Sequence, residues 1–128
     1  MENDSSRVRK DAAVDFLQLV VAGRIEEAYR KYVEMDGTHH NPHTPAGFQA
    51  LKEGMVASHS RFPDKRITVV NVLGDNDRVA VHSRLVLRPG EGEVAVVHLF
   101  RFRGFRIVEM WDVAQQVPVD SPNDAGAF

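Results

Sequence analysis

Cysteine is absent from the 128-residue chain. That excludes disulfides, thiolate metal sites and cysteine nucleophiles together, and it fits a reducing compartment. No uninterrupted apolar run approaches the roughly 20 residues of a membrane helix. The opening Met1-Glu2-Asn3-Asp4-Ser5-Ser6-Arg7 has no apolar stretch of the secretory kind. The expectation is a cytoplasmic protein with no membrane partner. A large net charge is also missing: 16 basic and 18 acidic side chains leave −2. No basic field invites nucleic acid, and Arg101, Arg103 and Arg106 read as one solvated rim cluster. The Gly90-Glu91-Gly92 turn lacks any phosphate-binding fingerprint. The chain is short for two cores, so one domain is expected over 1–128, with an irregular tail over 118–128. Histidine is what stands out, with six copies.

From Ser6 onward, Val8, Ala12, Ala13, Phe16, Leu17 and Val20 recur at intervals of three and four, which predicts a helix capped by Ser5 or Ser6 and stopped at Gly23. A second helix is expected over Ile25 to Tyr32. The stretch from Met35 to Pro45, rich in breakers and holding His39, His40 and His43, reads as a loop. Thr44 then caps a third helix with Pro45 at its first position, and the stripe Phe48, Leu51, Met55, His59 and Phe62 runs to Pro63. From Lys65 the period changes to 2, giving strands over Ile67–Leu73, Arg78–Arg88, Glu93–Arg103 and Arg106–Gln116. Helices followed by a meander make an α+β domain, with helices on one face of a curved antiparallel sheet and a one-ended pocket between them.

The last two strands carry the candidate chemistry. Val94, Val96, His98, Phe100 and Phe102 share one face of the first; Val108, Met110, Asp112 and Ala114 share one face of the second. A three-residue loop at Arg103-Gly104-Phe105 puts His98 and Asp112 on one face as diagonal neighbours, roughly 7–8 Å apart. A two-residue loop sends them to opposite faces, and Gly104 permits both. Pairing of Arg101 with Glu109 on the other face favours the three-residue loop. The result is an apolar wall holding one imidazole and one carboxylate, able to exchange protons near neutral pH. The opposite face would then expose Val97, Leu99, Ile107, Trp111 and Val113. A patch of that continuity predicts a homodimer packed sheet to sheet, with Trp111 near its centre.

The run from Ala95 to Val113, through His98-Leu99-Phe100 and Glu109-Met110-Trp111-Asp112, resembles the closing hairpin of the SnoaL-like polyketide cyclases. So do His40-Asn41-Pro42 and the chain end from Val117-Pro118 to Ser121-Pro122-Asn123. This family belongs to the superfamily sharing the nuclear transport factor two and ketosteroid isomerase fold. The resemblance implies a cone-shaped fold of three N-terminal helices on a strongly curved, mainly antiparallel sheet, usually dimerised through the sheet. In the cyclases a histidine and an aspartate fourteen residues apart occupy the last two strands, and His98 and Asp112 reproduce that spacing. The aspartate there is acid and base in an aldol closure, without metal or cofactor.

The expected site is therefore Asp112 as proton acceptor and donor beside a carbonyl of a small apolar oxygenated substrate. His98 would orient that carbonyl, and His40, Asn41, His82, Met110 and Phe100 would contact the substrate. Each has a plainer role: Asp112 accepts from a buried donor, His98 is a satisfied core histidine, and His40 and Asn41 form an Asx turn with Pro42. His59 is expected to pack, and His39 and His43 to face solvent. No metal is expected, since no motif such as His-Glu-x-x-His is present. The competing reading is a non-catalytic small-ligand-binding or dimerisation module of the same fold.

Overall fold

The computed structural model describes residues 3–128. Helix α1 spans Asp4–Val21, α2 Ile25–Tyr32 and α3 Phe48–Arg61; strands are β1 Val33–His39, β2 Arg66–Asp75, β3 Arg78–Val86, β4 Glu93–Arg103 and β5 Arg106–Val117. They form one sheet in the order β1-β5-β4-β3-β2, antiparallel except for the parallel edge strand β1. This is an α+β fold of three helices on a mixed five-stranded sheet, and residues 118–128 form neither helix nor strand.

The start of α1 is capped by Asn3, not by Ser5 or Ser6: its side chain accepts from the Ser6 N–H at 2.8 Å. A capping oxygen meets the amide three residues on, so both serines already lie inside the helix or beside its first turn. At the other end Gly23 stops the helix as expected. Its φ of +85°, with Gly23 N–H bonded to Val20 and Arg24 N–H to Leu19, is a Schellman motif. The ring of His59 rests on this glycine, where a Cβ would lie 2.4 Å from Nε2. Helix α2 has the expected limits.

The segment expected as a loop is different. Residues 33–39 form β1, paired with β5 through Val33–Ile107, Thr38–Glu109 and His39–Met110. Non-local hydrogen bonds here override weak local propensity. Gly37 is needed for close approach, since a Cβ would fall 2.3 Å from the Val108 carbonyl oxygen. His39, expected in solvent, is buried at the end of this strand. Helix α3 begins at Phe48 behind Gly47, not at Pro45, because the Thr44 hydroxyl is used in a turn with Asn41.

The β4–β5 hairpin corrects both expected registers. The loop has two residues, Gly104 and Phe105, with Arg103 opposite Arg106 and Phe102 opposite Ile107. The register then shifts between Arg101 and Phe102, leaving Val108 as an unpaired bulge. The extra residue cancels the face reversal of the short loop. His98 therefore lies directly opposite Asp112, not diagonal to it, and Arg101 directly opposite Glu109. The same bulge turns Ile107 inward: it is fully buried, not part of the outer apolar face.

Between helices and sheet, Phe16 meets Tyr29 and Phe100 edge-on at centroid distances of 5.4 and 6.0 Å. Tyr29 meets Phe48 at 6.3 Å. All four rings are buried, and truncating any of them to alanine would cost about 3–5 kcal/mol. This core fills one end of the space beneath the helices and leaves the other end open.

Candidate active site

That open end is a cavity of about 260 Å³, at the small end for ligand sites. Leu17, Val20 and Val21 of α1 and Leu51, Gly54 and Met55 of α3 line it from above. Ile67, Leu85 and Val96 line it from the sheet. Its polar groups are Asn41, Thr44, Ser58, Lys65, His98 and Asp112.

Among the described residues, the Asp112 carboxylate is held by one side chain. Asn41 Nδ2 donates to Oδ1 at 3.2 Å and to Oδ2 at 3.0 Å. The orientation of that amide is fixed by its other end, where Oδ1 accepts from the His43 N–H at 2.9 Å and from the Thr44 hydroxyl at 3.2 Å. The Asx turn expected of Asn41 is present, and it aims the amide at the Asp112 carboxylate. Behind it, the Asn41 N–H donates to His39 Nδ1 at 3.1 Å, while His39 Nε2 lies 2.8 Å from the Pro45 carbonyl. A carbonyl only accepts and an amide N–H only donates, so the His39 proton sits on Nε2.

His98 faces Asp112 across the ladder without bonding to it. Its ring stacks on Phe100 at 6.1 Å and 19°, and Nδ1 is buried with no partner among the described residues. Burial pushes its pKa down to about 4, against the pull of the Asp112 charge. The imidazole is neutral at neutral pH. With Nδ1 turned into the protein, Nε2 is left for the cavity.

The other expected contacts lie elsewhere. His40 is on the outer face of the sheet, where Nε2 donates to Glu109 at 2.6 Å and the ring stacks on Trp111 at 5.0 Å. His82 is also on the outer face, with Nδ1 2.9 Å from Asn71 Nδ2 and its ring stacked on Phe128. Strand alternation dictates this: His82 lies between the buried Val81 and Ser83. Phe100 and Met110 are buried in the core and do not line the cavity. Among the described residues, no three His, Asp or Glu side chains gather where they would hold an ion.

Sequence reasoning passed over Lys65, Ser58 and Thr44. Ser58 was within reach, since it continues the α3 stripe three residues after Met55. Lys65, beside Pro63-Asp64, has no periodic signal. Its Nζ donates to Ser58 Oγ at 2.5 Å, and burial holds its pKa below the usual lysine range.

A family model for the SnoaL-like domain matches residues 13–110. The chain belongs to the SnoaL-like family. The match includes Asn41, Lys65 and His98 and ends two residues before Asp112. Among solved structures, this SnoaL-like chain is similar to IdmH, a candidate polyketide cyclase from Streptomyces antibioticus: 21% identity, 84% of this chain, 91% of that one, TM-score 0.71. A candidate SnoaL-like polyketide cyclase from Jannaschia sp. CCS1 shares 18% identity over 90% of each chain, TM-score 0.72. AclR, a candidate hydroxylase from Streptomyces galilaeus, shares 22% identity over 87% of this chain and 91% of that one, TM-score 0.68. No curated protein matches the chain. At these identities the likeness establishes the fold alone, and chemistry must be argued from the SnoaL-like site itself. Among the described residues no helix is long and apolar enough to cross a membrane.

Proposed function

We propose that the protein is a cofactor-independent acid/base enzyme acting beside a carbonyl of a small, largely apolar oxygenated substrate. The observation that carries this is Asp112. It is a carboxylate on the wall of an apolar cavity, oriented by one side-chain amide and opposite a neutral histidine. Asp112 takes a proton from the carbon next to the carbonyl, and the C–H electron pair passes into the enolate. His98 Nε2–H donates to the enolate oxygen. The enolate carbon then forms a bond to a second carbonyl, as in aldol cyclisation, or is reprotonated at another carbon, as in isomerisation. In the first case Asp112 returns its proton to the new alkoxide. Carboxylate and carbonyl chemistry of this kind is sufficient for general acid/base catalysis on the order of 10²–10⁴-fold.

The assignment is testable before the natural substrate is known. An enzyme of this class exchanges the α-protons of a simple aromatic ketone with solvent, which NMR in D₂O follows directly. Asp112→Asn should cut that exchange by about 10²–10⁴ and leave the melting temperature unchanged or higher, because among the described residues no backbone N–H donates to the carboxylate. Exchange at the wild-type rate, or a loss of stability of about 1–3 kcal/mol, would make Asp112 structural and favour a binding module.

The same reading includes a cytoplasmic location and a two-fold homodimer. Val97 pairs with Val113 and Leu99 with Trp111 across the outer face, and Val97 and Val113 are exposed. Two adjacent apolar pairs on a solvent face support burial against a second copy. A sedimentation mass of one chain at micromolar concentration would count against it.

A further inference from the structure

Lys65 and Ser58 stand apart from the groups used above. Lys65 precedes β2, at the sheet edge remote from β5. Two strands lie between β2 and β5, which puts roughly 14 Å of sheet between their backbones at the usual strand spacing. Both ends open on the same cavity. Lys65 is half-buried, and among the described residues its Nζ bonds only to the Ser58 hydroxyl. An ammonium has three donors, and a hydroxyl receiving one of them still has its own proton to donate. A partly desolvated cation with one neutral partner is costly unless an anion joins it. The lowered pKa of Lys65 has the same origin, since burial is its cause and no carboxylate opposes it.

We propose that Lys65 and Ser58 form a carboxylate-binding subsite, so that the substrate is an apolar oxo acid whose acid group is held here while its carbonyl reaches Asp112. This rests on the reading of the cavity as the substrate site. A carboxylate is favoured over the reacting enolate as the anion because the enolate forms within reach of Asp112, at the other side of the sheet. Nζ and Ser58 Oγ would each donate to the acid, two charge-assisted bonds in a half-buried site. The apolar side chains of α1 and α3 would cover the body of the molecule between the two ends. Lys65 is then the residue that selects acids, and Asp112 the residue that does chemistry on them.

The test is a binding comparison between 4-oxo-4-phenylbutanoate and its neutral primary amide, which differ only in the charged group. Calorimetric titration of the wild type should give the acid an affinity at least about tenfold above the amide. Lys65→Met should bring the two within about twofold, Lys65→Arg should keep the preference for the acid, and Ser58→Ala should weaken it in a fold left intact. Asp112→Asn should retain the preference, which separates this inference from the assignment of the base. If Asp112→Asn leaves α-proton exchange unchanged while the acid preference follows Lys65, the base assignment falls and the subsite stands. Equal affinity of the wild type for acid and amide would overturn the subsite. So would no binding of the acid at millimolar concentration, or an acid preference surviving in a folded Lys65→Met protein.

Discussion

Each face of the sheet at β5 brings a histidine to a carboxylate, His40 from the end of β1 outside and His98 from β4 inside, and the two faces treat the pair in opposite ways. On the outer face Glu109 accepts from His40 at 2.6 Å and from Arg101 at 2.8 Å. Those bonds, the one from His40 first, hold its carboxyl below the usual range. On the inner face His98 and Asp112 are cross-strand partners that do not bond to each other, and among the described residues the Asp112 carboxylate is met by Asn41 alone. The outer pair has used its hydrogen-bonding capacity, as a structural pair does. The inner pair has kept capacity in reserve at the wall of a cavity, which is what a reacting molecule requires.

The sharpest way to break this contrast is to neutralise each carboxylate. Asp112→Asn should lower α-proton exchange by about 10²–10⁴, while Glu109→Gln should leave it within about twofold, by the same NMR assay. Equal losses from both would erase the distinction between the faces. The next effect is on stability against pH. The folded pKa of His98 lies near 4, below its ordinary 6.5. The unfolded chain binds the extra proton first, so stability is fully present above 6.5 and is lost as pH falls toward 4. The loss is on the order of 3 kcal/mol, and urea melts across that window should show His98→Phe to be flatter by that amount. The outer face responds later. The depressed pKa of Glu109 gives stability that is present above about 4.5 and lost only below it.

Gly37→Ala is a smaller perturbation and acts on both faces through the backbone. Its new Cβ would meet the Val108 carbonyl oxygen at 2.3 Å, and strand must move from strand at a cost of about 1–3 kcal/mol. Thermal unfolding measures this, and a neutral result would mean that β1 can move away from Val108 without cost. The smallest expected effect is the stability of Glu109→Gln at neutral pH. A partly exposed ion pair of this kind contributes at most about 1 kcal/mol, so chemical denaturation should barely separate it from wild type.

Much of this arrangement was legible in the residues. The spacing of Phe16, Tyr29, Phe48 and Phe100 on their stripes marks the core, and the period change at Lys65 marks the meander. The pairing of Arg101 with Glu109 identified the correct faces for His98 and Asp112, although the route was a short loop plus a bulge and not a longer loop. Strand β1 was hidden because its stability comes from β5, some 70 residues away, and Asp36-Gly37-Thr38 carries no alternation of its own. The outward placement of His40 and His82 is not legible, because neither an Asx turn nor a half-wet strand face states in sequence which side it serves. Lys65 was hidden for the reverse reason: a lysine among polar neighbours looks solvated until a helix is laid over its stem.

The bulge at Val108 has a consequence for how this chain can change. A strand records its orientation as parity, odd or even, and the hairpin contains two steps that each invert it. The two-residue turn inverts once and Val108 inverts again, so Asp112 faces the cavity only because the two cancel. Losing or gaining one residue between Gly104 and Asp112 would turn the carboxylate to the outside and bring Glu109 or Trp111 to the inside, with every residue type unchanged. Paired indels, one in the turn and one at the bulge, would restore it. Gly37 of β1 lies against the carbonyl of that bulged residue, with no room for a Cβ. A graft of β5 into another scaffold would have to bring both steps of the hairpin with it.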